Sequence, residues 1–290
     1  MGYLLYMDAL GIQGFYKQGV NIANPIMDRI CETAKSIFGA SIPNSSQNLS
    51  QIQSNKLVIM NDSVFMYSEH LEYVLFFATK FAKIMFILMK NVEPIAFRGG
   101  ISKTENIPKI ICSEENNIST TKFVIDNISA AMIADKKRIS GPRIIIHKDL
   151  IDKNIFSSWD IKYQTMLMDI HKPENTKSDF FNNDLNDYYD LTWLIPFDEK
   201  QAQKIEKNIH QYWVNAVSME RASIHASALL ALYKTSLVKK ESISNVIKIL
   251  YSGLQKEGKF TGKLPKNITY DKLLVTGQMI KSIRDLVIYP

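Results

Sequence analysis

The feature that most constrains how this chain can fold is a pair of apolar runs separated by only two residues, in the stretch KLVIMNDSVFMYS. The runs cover residues 56–60 and 63–68 and are rich in the β-branched and aromatic side chains that favour strands. Two strands this close along the chain can be joined only by a tight hairpin turn. The sequence therefore predicts two antiparallel neighbouring strands with Asn61 and Asp62 at the turn.

The elements predicted around this hairpin follow a known order. Before the hairpin we predict a buried strand at 3–9, a turn containing Gly11 and Gly14, and a helix from about Pro25 to Phe38, with Pro25 in its first turn and Gly39 at its end. After the hairpin we predict a long helix at 69–90, a strand in EPIAFRGGIS and an irregular loop at 103–121. An amphipathic helix in FVIDNISAAMIADKKR and a strand in PRIIIHK follow. The first six strands and helices follow the order β-α-β-β-α-β, which is the split βαβ pattern. The predicted fold is therefore α+β and ferredoxin-like, with the first strand central and beside the hairpin.

Two acidic residues stand where these apolar strands end. Asp8 closes the run YLLYMDALG, and Asp62 lies in the hairpin turn. In a ferredoxin-like sheet these two points meet at one edge, so we expect the two carboxylates to be neighbours. Adjacent carboxylates repel unless a cation neutralises them, and Mg²⁺ and Mn²⁺ prefer such oxygen ligands. The pattern predicts a two-metal site of the phosphoryl-transfer type; the alternative is that both are ordinary turn residues.

Composition narrows the class of protein. Of the 290 residues, 46% are hydrophobic and 22% charged, which is ordinary for a soluble globular protein. The two cysteines, Cys31 and Cys112, suggest neither a disulfide framework nor a zinc site. The apolar stretch at 73–89 contains Lys80 and Lys83 and is too short for a comfortable membrane span. With no signal-peptide pattern at the start, the sequence predicts a cytoplasmic protein without a membrane span.

Positive charge is concentrated in the last third of the chain. Residues 201–290 carry 14 Lys and Arg against 6 Asp and Glu, whereas residues 1–200 carry 21 against 23. A basic tail can bind nucleic acid, an acidic partner or a membrane surface; the alternative, favoured by abundant Ile, Lys and Asn throughout, is a solvated helical face. We predict a catalytic core at 1–155, a lid or packing segment that completes it at 156–197, and a helical extension at 198–290.

Three motifs, in their order and spacing, resemble those of class III nucleotidyl cyclases. These enzymes have an Asp before a Gly at the end of the first strand, a hairpin Asp and an Arg-x-Gly-Ile strand, matched here by YMDALG, NDSVFMYS and FRGGIS. The Ser after the hairpin Asp, the double glycine of RGGIS and the later PRIIIHKDL are most similar to the bacterial pyrimidine cyclases of Pycsar antiphage defence. The resemblance covers roughly residues 3–150.

The resemblance implies a lyase that converts a pyrimidine nucleoside triphosphate, UTP in preference to CTP, to the 3′,5′-cyclic monophosphate and pyrophosphate. Its product, cyclic UMP or cyclic CMP, would signal to a separate effector, and the enzyme would be a homodimer with active sites shared between subunits. Asp8 and Asp62 would each ligate two Mg²⁺ or Mn²⁺ ions, with the backbone carbonyl of Ala9 as a further ligand. The nucleotide-binding residues that the resemblance implies are Leu10, Gly11, Gly14, Phe15 and Ser63.

The sequence indicates less clearly which positively charged residue would stabilise the transition state. The Asn-x-x-x-Arg pair of adenylyl cyclases has no clean match; Arg138, or its neighbours Lys136 and Lys137, could supply the charge. Arg98 is the second candidate catalytic residue, with an ordinary strand ion pair as its alternative role. Two histidines are interpreted as structural: His147, which ends a strand, and His70, which we expect near Asp62 at the start of the long helix.

Two other functions remain open at this point. One is a palm enzyme like those of CRISPR polymerases, which makes oligonucleotides; that family normally has a Gly-Gly-Asp-Asp turn, whereas IMNDSV has one Asp and no Gly. The other is a degenerate cyclase-fold module whose basic tail binds nucleic acid or a protein partner. Binding of nucleotide that depends on metal separates this module from both enzymes.

Overall fold

The computed structural model describes residues 1–41, 55–88, 94–115, 118–124, 128–132, 141–151, 167–169, 187–196, 199–214, 229 and 232–233. The strands within them are β1 Gly2–Ala9, β2 Lys56–Met60, β3 Ser63–Ser68, β4 Phe97–Thr104, β5 Lys109–Glu115, β6 Ile118–Val124, β7 Ile144–His147, β8 Leu167–Asp169 and β9 Tyr188–Leu191. The α-helices are α1 Ile12–Gln18, α2 Val20–Ser41, α3 Leu71–Lys83, α4 Ile128–Ala131 and α5 Glu199–Val214. A π-helical segment, Ile84–Leu88, directly follows α3, and a 3₁₀ turn, Lys148–Leu150, follows β7.

Seven of these strands form one sheet in the order β2-β3-β1-β4-β7-β9-β8. Strand β1 pairs antiparallel with both β3 and β4, and β7 extends the sheet by pairing parallel with β4. The first four strands thus have the predicted ferredoxin-like order, with β1 central and beside the hairpin. The predicted α+β fold class is confirmed.

The two faces of the sheet are covered differently. Because side chains alternate along a strand, Leu5, Met7 and Ala9 of β1 point to one face and Leu4, Tyr6 and Asp8 to the other. The first face packs in the main core with buried residues of α2, α3 and α5. The second packs Leu4 and Tyr6 in a smaller cluster with Val58, Phe65 and α4 residue Ala131. Asp8 therefore lies on the sheet face that carries the smaller cluster.

The π-helical segment ties later parts of the chain to the core. The side-chain amide of Asn208, on α5, donates a hydrogen bond to the buried backbone carbonyl of Phe86, and a buried carbonyl needs such a donor in an apolar region. One turn earlier, the ammonium group of the buried Lys83 donates to the carbonyl of Ile195 at 2.6 Å. Two polar side chains thus fix α5 and the segment after β9 against the same helix.

Several predicted boundaries are confirmed and others are wrong. The hairpin strands at 56–60 and 63–68 are β2 and β3, and the strands in YLLYMDALG, FRGGIS and PRIIIHK are β1, β4 and β7. Helix α2 begins at Val20, not near Pro25, and it continues through Gly39. Pro25 removes one hydrogen bond from this helix, the bond to the carbonyl of residue 21 in its first turn. The helix can therefore begin before the proline.

The predicted irregular loop at 103–121 is wrong. Strand β4 runs to Thr104, and β5 and β6 then form an antiparallel pair in which Lys109 lies opposite Val124 and Glu115 opposite Ile118. The predicted helix at 123–138 is reduced to α4 among the described residues, because 123–124 belong to β6 and 133–140 lie outside the description.

The long helix predicted at 69–90 starts at Leu71 and changes to π-helix at Ile84; positions 89–90 lie outside the described residues. In the region predicted to be a lid or packing segment, β8 and β9 are strands of the main sheet. Helix α5 opens the predicted helical extension, most of which lies outside the described residues. The domain boundaries stay a prediction. No helix in the described ranges is long and apolar enough to cross a membrane.

Candidate active site

One edge of the main sheet brings the end of β1 together with the beginnings of β3 and β4. In the strand register, Asp8 is the Cα partner of Ser63 on one side and of Arg98 on the other. The backbone N–H of Ala9 donates to the carbonyl of Asp62 at 3.1 Å. The predicted meeting of the first strand's end with the hairpin turn is confirmed, and it places Asp8 and Asp62 in adjoining backbone segments.

The hairpin turn fixes where Asp62 stands. Met60 pairs with Ser63, so two residues, Asn61 and Asp62, form the turn. Asn61 has a φ of 54°, the left-handed conformation that tight hairpin turns require and that Asn adopts at low cost. Asp62 is thus held from both sides, by the turn and by the backbone hydrogen bond from Ala9.

The carboxylate of Asp8 has a defined neighbour. The hydroxyl of Ser63 donates to Oδ1 of Asp8 at 3.0 Å, and both side chains are half-buried. An ionised carboxylate offers about four lone-pair positions on its two oxygens, so this bond leaves acceptor capacity for a cation. Asp62 is half-buried as well, which leaves both carboxylates within reach of solvent and of a ligand.

The donor set fits a hard divalent cation. No group of three or more His, Cys, Asp and Glu side chains that could hold a metal ion occurs in the part of the chain that the structure describes. Two carboxylates, completed by backbone carbonyls, water and substrate phosphates, are the usual protein share of a Mg²⁺ site. Asp8 and Asp62 would supply that share here.

Two arginines lie side by side at this edge. Arg98 is half-buried beside Asp8, and the N–H of Gly99 donates to the carbonyl of Arg143 at 2.8 Å, which places Arg143, the residue directly before β7, next to Arg98. The guanidinium of Arg143 is fully buried and donates from Nη1 to Oδ2 of Asp190 at 2.9 Å. Burial raises the pKa of Asp190 to about 6, against the opposing effect of Arg143. Asp190 thus compensates the charge of Arg143.

Sequence reasoning missed the Arg143–Asp190 pair. Both residues sit in stretches that were interpreted as packing or strand segments, and 46 residues separate them in the chain. Only the pairing of β7 with β9, which places Ile145 opposite Asp190, brings them together. No local sequence pattern marks such a pair. Predicting it would have required the order of the strands beyond the first four.

The end of β1 and the loop after it are held by backbone hydrogen bonds, two of them to neighbouring segments. Gly11 has a φ of 88°, a conformation that favours glycine, and it precedes α1. The N–H groups of Ala9, Leu10 and Gly14 donate to the carbonyls of Asp62, Ala96 and Gly11, respectively. Since these three N–H groups are engaged within the protein, they are not the ones that would contact a triphosphate. Leu10 is buried, and Phe15 packs against the main core.

The remaining predicted residues lie elsewhere. Arg138, with Lys136 and Lys137, falls outside the described residues. The expected closeness of His70 to Asp62 is wrong: the N–H of His70 donates to Oγ of Ser68, at the opposite end of β3. A six-residue strand spans about 20 Å. His147 also lies at that opposite edge, where its Nδ1 accepts from the N–H of Asp149 at 3.2 Å, as expected for a structural histidine.

Comparisons with solved structures found adenylyl cyclases that are similar to this chain over part of its length. The adenylyl cyclase CyaB from P. aeruginosa is similar with a TM-score of 0.39 and 9% identity, over 66% of this chain and 92% of that one. Adenylate cyclases from Trypanosoma brucei, solved in their monomeric state, are similar with a TM-score of 0.36 and 9% identity, over 58% of this chain and 78% of the other. No protein-family model matches this chain, and no curated protein matches its sequence. Neither likeness transfers a substrate or a residue's role to this chain.

Proposed function

We propose that this chain is a metal-dependent nucleotidyl cyclase that acts on a pyrimidine nucleoside triphosphate, UTP in preference to CTP, and releases the 3′,5′-cyclic monophosphate and pyrophosphate. The observation that carries the proposal is the strand register at the sheet edge. It sets Asp8 between Ser63 and Arg98, with Asp62 in the adjoining turn. The preference for pyrimidines is supported by the motifs NDSVFMYS and FRGGIS, which resemble those of pyrimidine cyclases.

The proposed reaction is an intramolecular displacement at phosphorus. The 3′-oxygen forms a bond to the α-phosphorus, the bond from that phosphorus to the oxygen bridging to the β-phosphate breaks, and the 3′-hydroxyl proton passes to solvent. Two Mg²⁺ or Mn²⁺ ions, when bound, supply the charge that activates the 3′-oxygen and stabilises the leaving pyrophosphate. Asp8 and Asp62 would hold these ions, with the carbonyl of Ala9 as the further ligand that the resemblance implies.

Arg98 supplies positive charge beside the carboxylates. Directly opposed residues on antiparallel strands have Cβ atoms about 5 Å apart. The side chain of Arg98 therefore leaves the backbone beside that of Asp8. In the free protein the positive charge of Arg98 also acts on Tyr212 of α5, whose pKa it lowers against the larger opposing effect of burial. With a nucleotide bound, a long flexible arginine at this position can face phosphate oxygens, where its charge stabilises negative charge that develops in the transition state. Arg138 remains the second proposed cation.

The wider role follows from the same resemblance. The cyclic pyrimidine nucleotide would act as a second messenger in cytoplasmic antiphage defence and be sensed by a separate effector. The enzyme would work as a homodimer with active sites shared between subunits. A dimer would also supply further groups to a site that, among the described residues, is built on the carboxylates of Asp8 and Asp62.

The first test is an incubation of the purified protein with ATP, GTP, CTP, UTP and Mn²⁺, followed by mass spectrometry of the products. Asp8→Ala and Asp62→Ala test the carboxylates, and Asp149→Ala is the matched control, because Asp149 is an exposed carboxylate at the opposite edge of the sheet. We expect a cyclic pyrimidine monophosphate from the wild type and the control, and none from the two site variants.

Other products would assign other functions. A cyclic purine monophosphate would retain the cyclase and overturn the pyrimidine preference. A linear or multiply linked nucleotide would favour the oligonucleotide-forming palm enzyme. Absence of product from a folded protein with metal present would favour a degenerate binding module, and salt-sensitive binding of nucleic acid would support that assignment further.

A further inference from the structure

We propose that Ser63 is a positioning residue that orients the carboxylate of Asp8 toward the metal ions, an inference that rests on the proposed function. The resemblance implied a nucleotide contact for Ser63. In the structure its hydroxyl instead donates to Oδ1 of Asp8 at 3.0 Å. An ionised carboxylate can only accept hydrogen bonds, so the direction of this bond is fixed.

The strand register makes this contact a built feature of the sheet. Ser63 and Asp8 are direct Cα partners in the antiparallel pairing of β1 with β3. Directly opposed side chains lie on the same face, with Cβ atoms about 5 Å apart, which suits a short donor facing a short acceptor. A slip of the register by one residue would turn Ser63 to the other face and remove the bond.

The same hairpin holds both carboxylates. Ser63 follows Asp62 directly, Asn61 fixes the turn through its left-handed conformation, and the carbonyl of Asp62 accepts the N–H of Ala9 at 3.1 Å. The hydroxyl that orients Asp8 is therefore rigidly connected to the backbone that carries Asp62. The hairpin thus couples the orientation of one carboxylate to the position of the other.

Orientation matters because an Asp side chain has two rotatable bonds. A hydrogen bond to Oδ1 reduces the rotation of the carboxylate and biases its remaining lone pairs toward the ions. Hydrogen-bond partners of this kind typically contribute about 10-fold to 100-fold in metal affinity or activity. Ser63 would act in this way without contacting the nucleotide or a metal ion.

The test measures Mn²⁺ binding by electron paramagnetic resonance, which reports free Mn²⁺ and needs no enzymatic turnover. Three variants are compared with the wild type: Ser63→Ala, which removes the hydroxyl, Ser63→Thr, which retains it on a β-branched side chain suited to a strand, and the matched control Ser68→Ala. Ser68 lies at the other end of the same strand, where its hydroxyl oxygen accepts from the N–H of His70. Thermal unfolding of each variant confirms that the protein folds.

We expect Ser63→Ala to weaken Mn²⁺ binding about 10-fold to 100-fold, while Ser63→Thr and Ser68→Ala stay within about 3-fold of the wild type. In the catalytic assay, the concentration of Mn²⁺ giving half-maximal activity should rise in parallel for Ser63→Ala. Unchanged Mn²⁺ binding in Ser63→Ala would overturn the inference, as would equal weakening by Ser63→Thr, which would show that the hydroxyl is not responsible.

Asp8→Asn separates a failure of this inference from a failure of the proposed function. If Asp8→Asn abolishes Mn²⁺ binding and Ser63→Ala does not affect it, the metal site stands and only the role of Ser63 is wrong. If Asp8→Asn and Asp62→Asn both leave Mn²⁺ binding unchanged, the two-carboxylate site is wrong, and the proposed function fails with it.

Discussion

Replacing Gly99 with alanine should test whether the contact between β1 and β4 requires a residue without a side chain. Gly99 lies opposite Met7 in the register, next to Arg98. A Cβ atom built on Gly99 would overlap the backbone carbonyl oxygen of Tyr6 and lie 3.0 Å from the Cα of Met7. Because the obstructing atoms belong to the backbone of the central strand, no side-chain rotation can relieve the overlap, and β1 and β4 must separate.

The expected loss follows from the cost of inserting a methyl group into a packed region, about 1–3 kcal/mol in the free energy of unfolding. For a chain of this length such a loss lowers the melting temperature by roughly 2–5 °C. The assay is guanidinium denaturation followed by circular dichroism, with the melting temperature measured in parallel. Because the same strand pairing sets the distance between Asp8 and Arg98, we also expect the proposed cyclase activity to fall at temperatures where the variant remains folded.

Gly39→Ala is the matched control. Gly39 lies within helix α2, and a Cβ atom built there would meet no atom within 4 Å. Since glycine disfavours helix interiors, this substitution should leave stability unchanged or raise it by about 0.5–1 kcal/mol. The steric reasoning is refuted if Gly99→Ala unfolds at the same denaturant concentration as the wild type, or if both alanine variants shift the transition equally.

Three further predictions follow from polar groups and from the metal site. Asn208→Leu should lower the free energy of unfolding by about 1–3 kcal/mol, because a buried carbonyl of the π segment loses its donor; an unchanged denaturation midpoint would contradict this. Asp190, whose pKa is raised from 3.8 to about 6 in the folded protein, binds more protons when folded than when unfolded between about pH 4 and 6. Its contribution to stability should therefore fall as the pH rises through that range, by on the order of 2 kcal/mol. The stability difference between the wild type and Asp190→Asn should change by that amount from pH 4 to 6, and a constant difference would refute the assignment. Finally, Mn²⁺ at about 100 times its Kd should stabilise the wild type by about 2.7 kcal/mol and raise its melting temperature, but it should not stabilise Asp8→Asn or Asp62→Asn; equal stabilisation of all three would place the metal elsewhere.

The hairpin and its position in the sheet could be predicted because each rested on short-range signals or on a topological rule. Apolar runs on both sides of Asn61 and Asp62 defined β2 and β3 to the residue. The order of strands and helices then restricted β1 to the centre of the sheet. The meeting of Asp8 with the turn needed no further information, because a ferredoxin-like sheet brings those two ends to one edge.

What could not be predicted lies where local signals are weak or where contacts are long-range. The β5–β6 pair is built from KIICSEE and ISTTKFV, whose many charged and hydroxyl side chains give no clear apolar alternation. The same two-residue spacing that revealed the first hairpin was present there, at Asn116 and Asn117. The pair of Arg143 with Asp190, in contrast, depends on how β7 meets β9, and no short stretch of sequence encodes that meeting.

Helix α5 is bonded to the core and connects through it to the candidate site. The amide of Asn208 binds the π segment after α3, and the carbonyl of Met85 in that segment accepts the N–H of Ile95 at 3.3 Å. The next residue, Ala96, accepts the N–H of Leu10 at 2.8 Å, directly after the strand that carries the first carboxylate. A continuous set of hydrogen bonds and backbone therefore runs from α5 to the candidate site. Since buried carbonyls need donors, removal of α5 would leave the π segment incompletely bonded and loosen the support of the loop after β1.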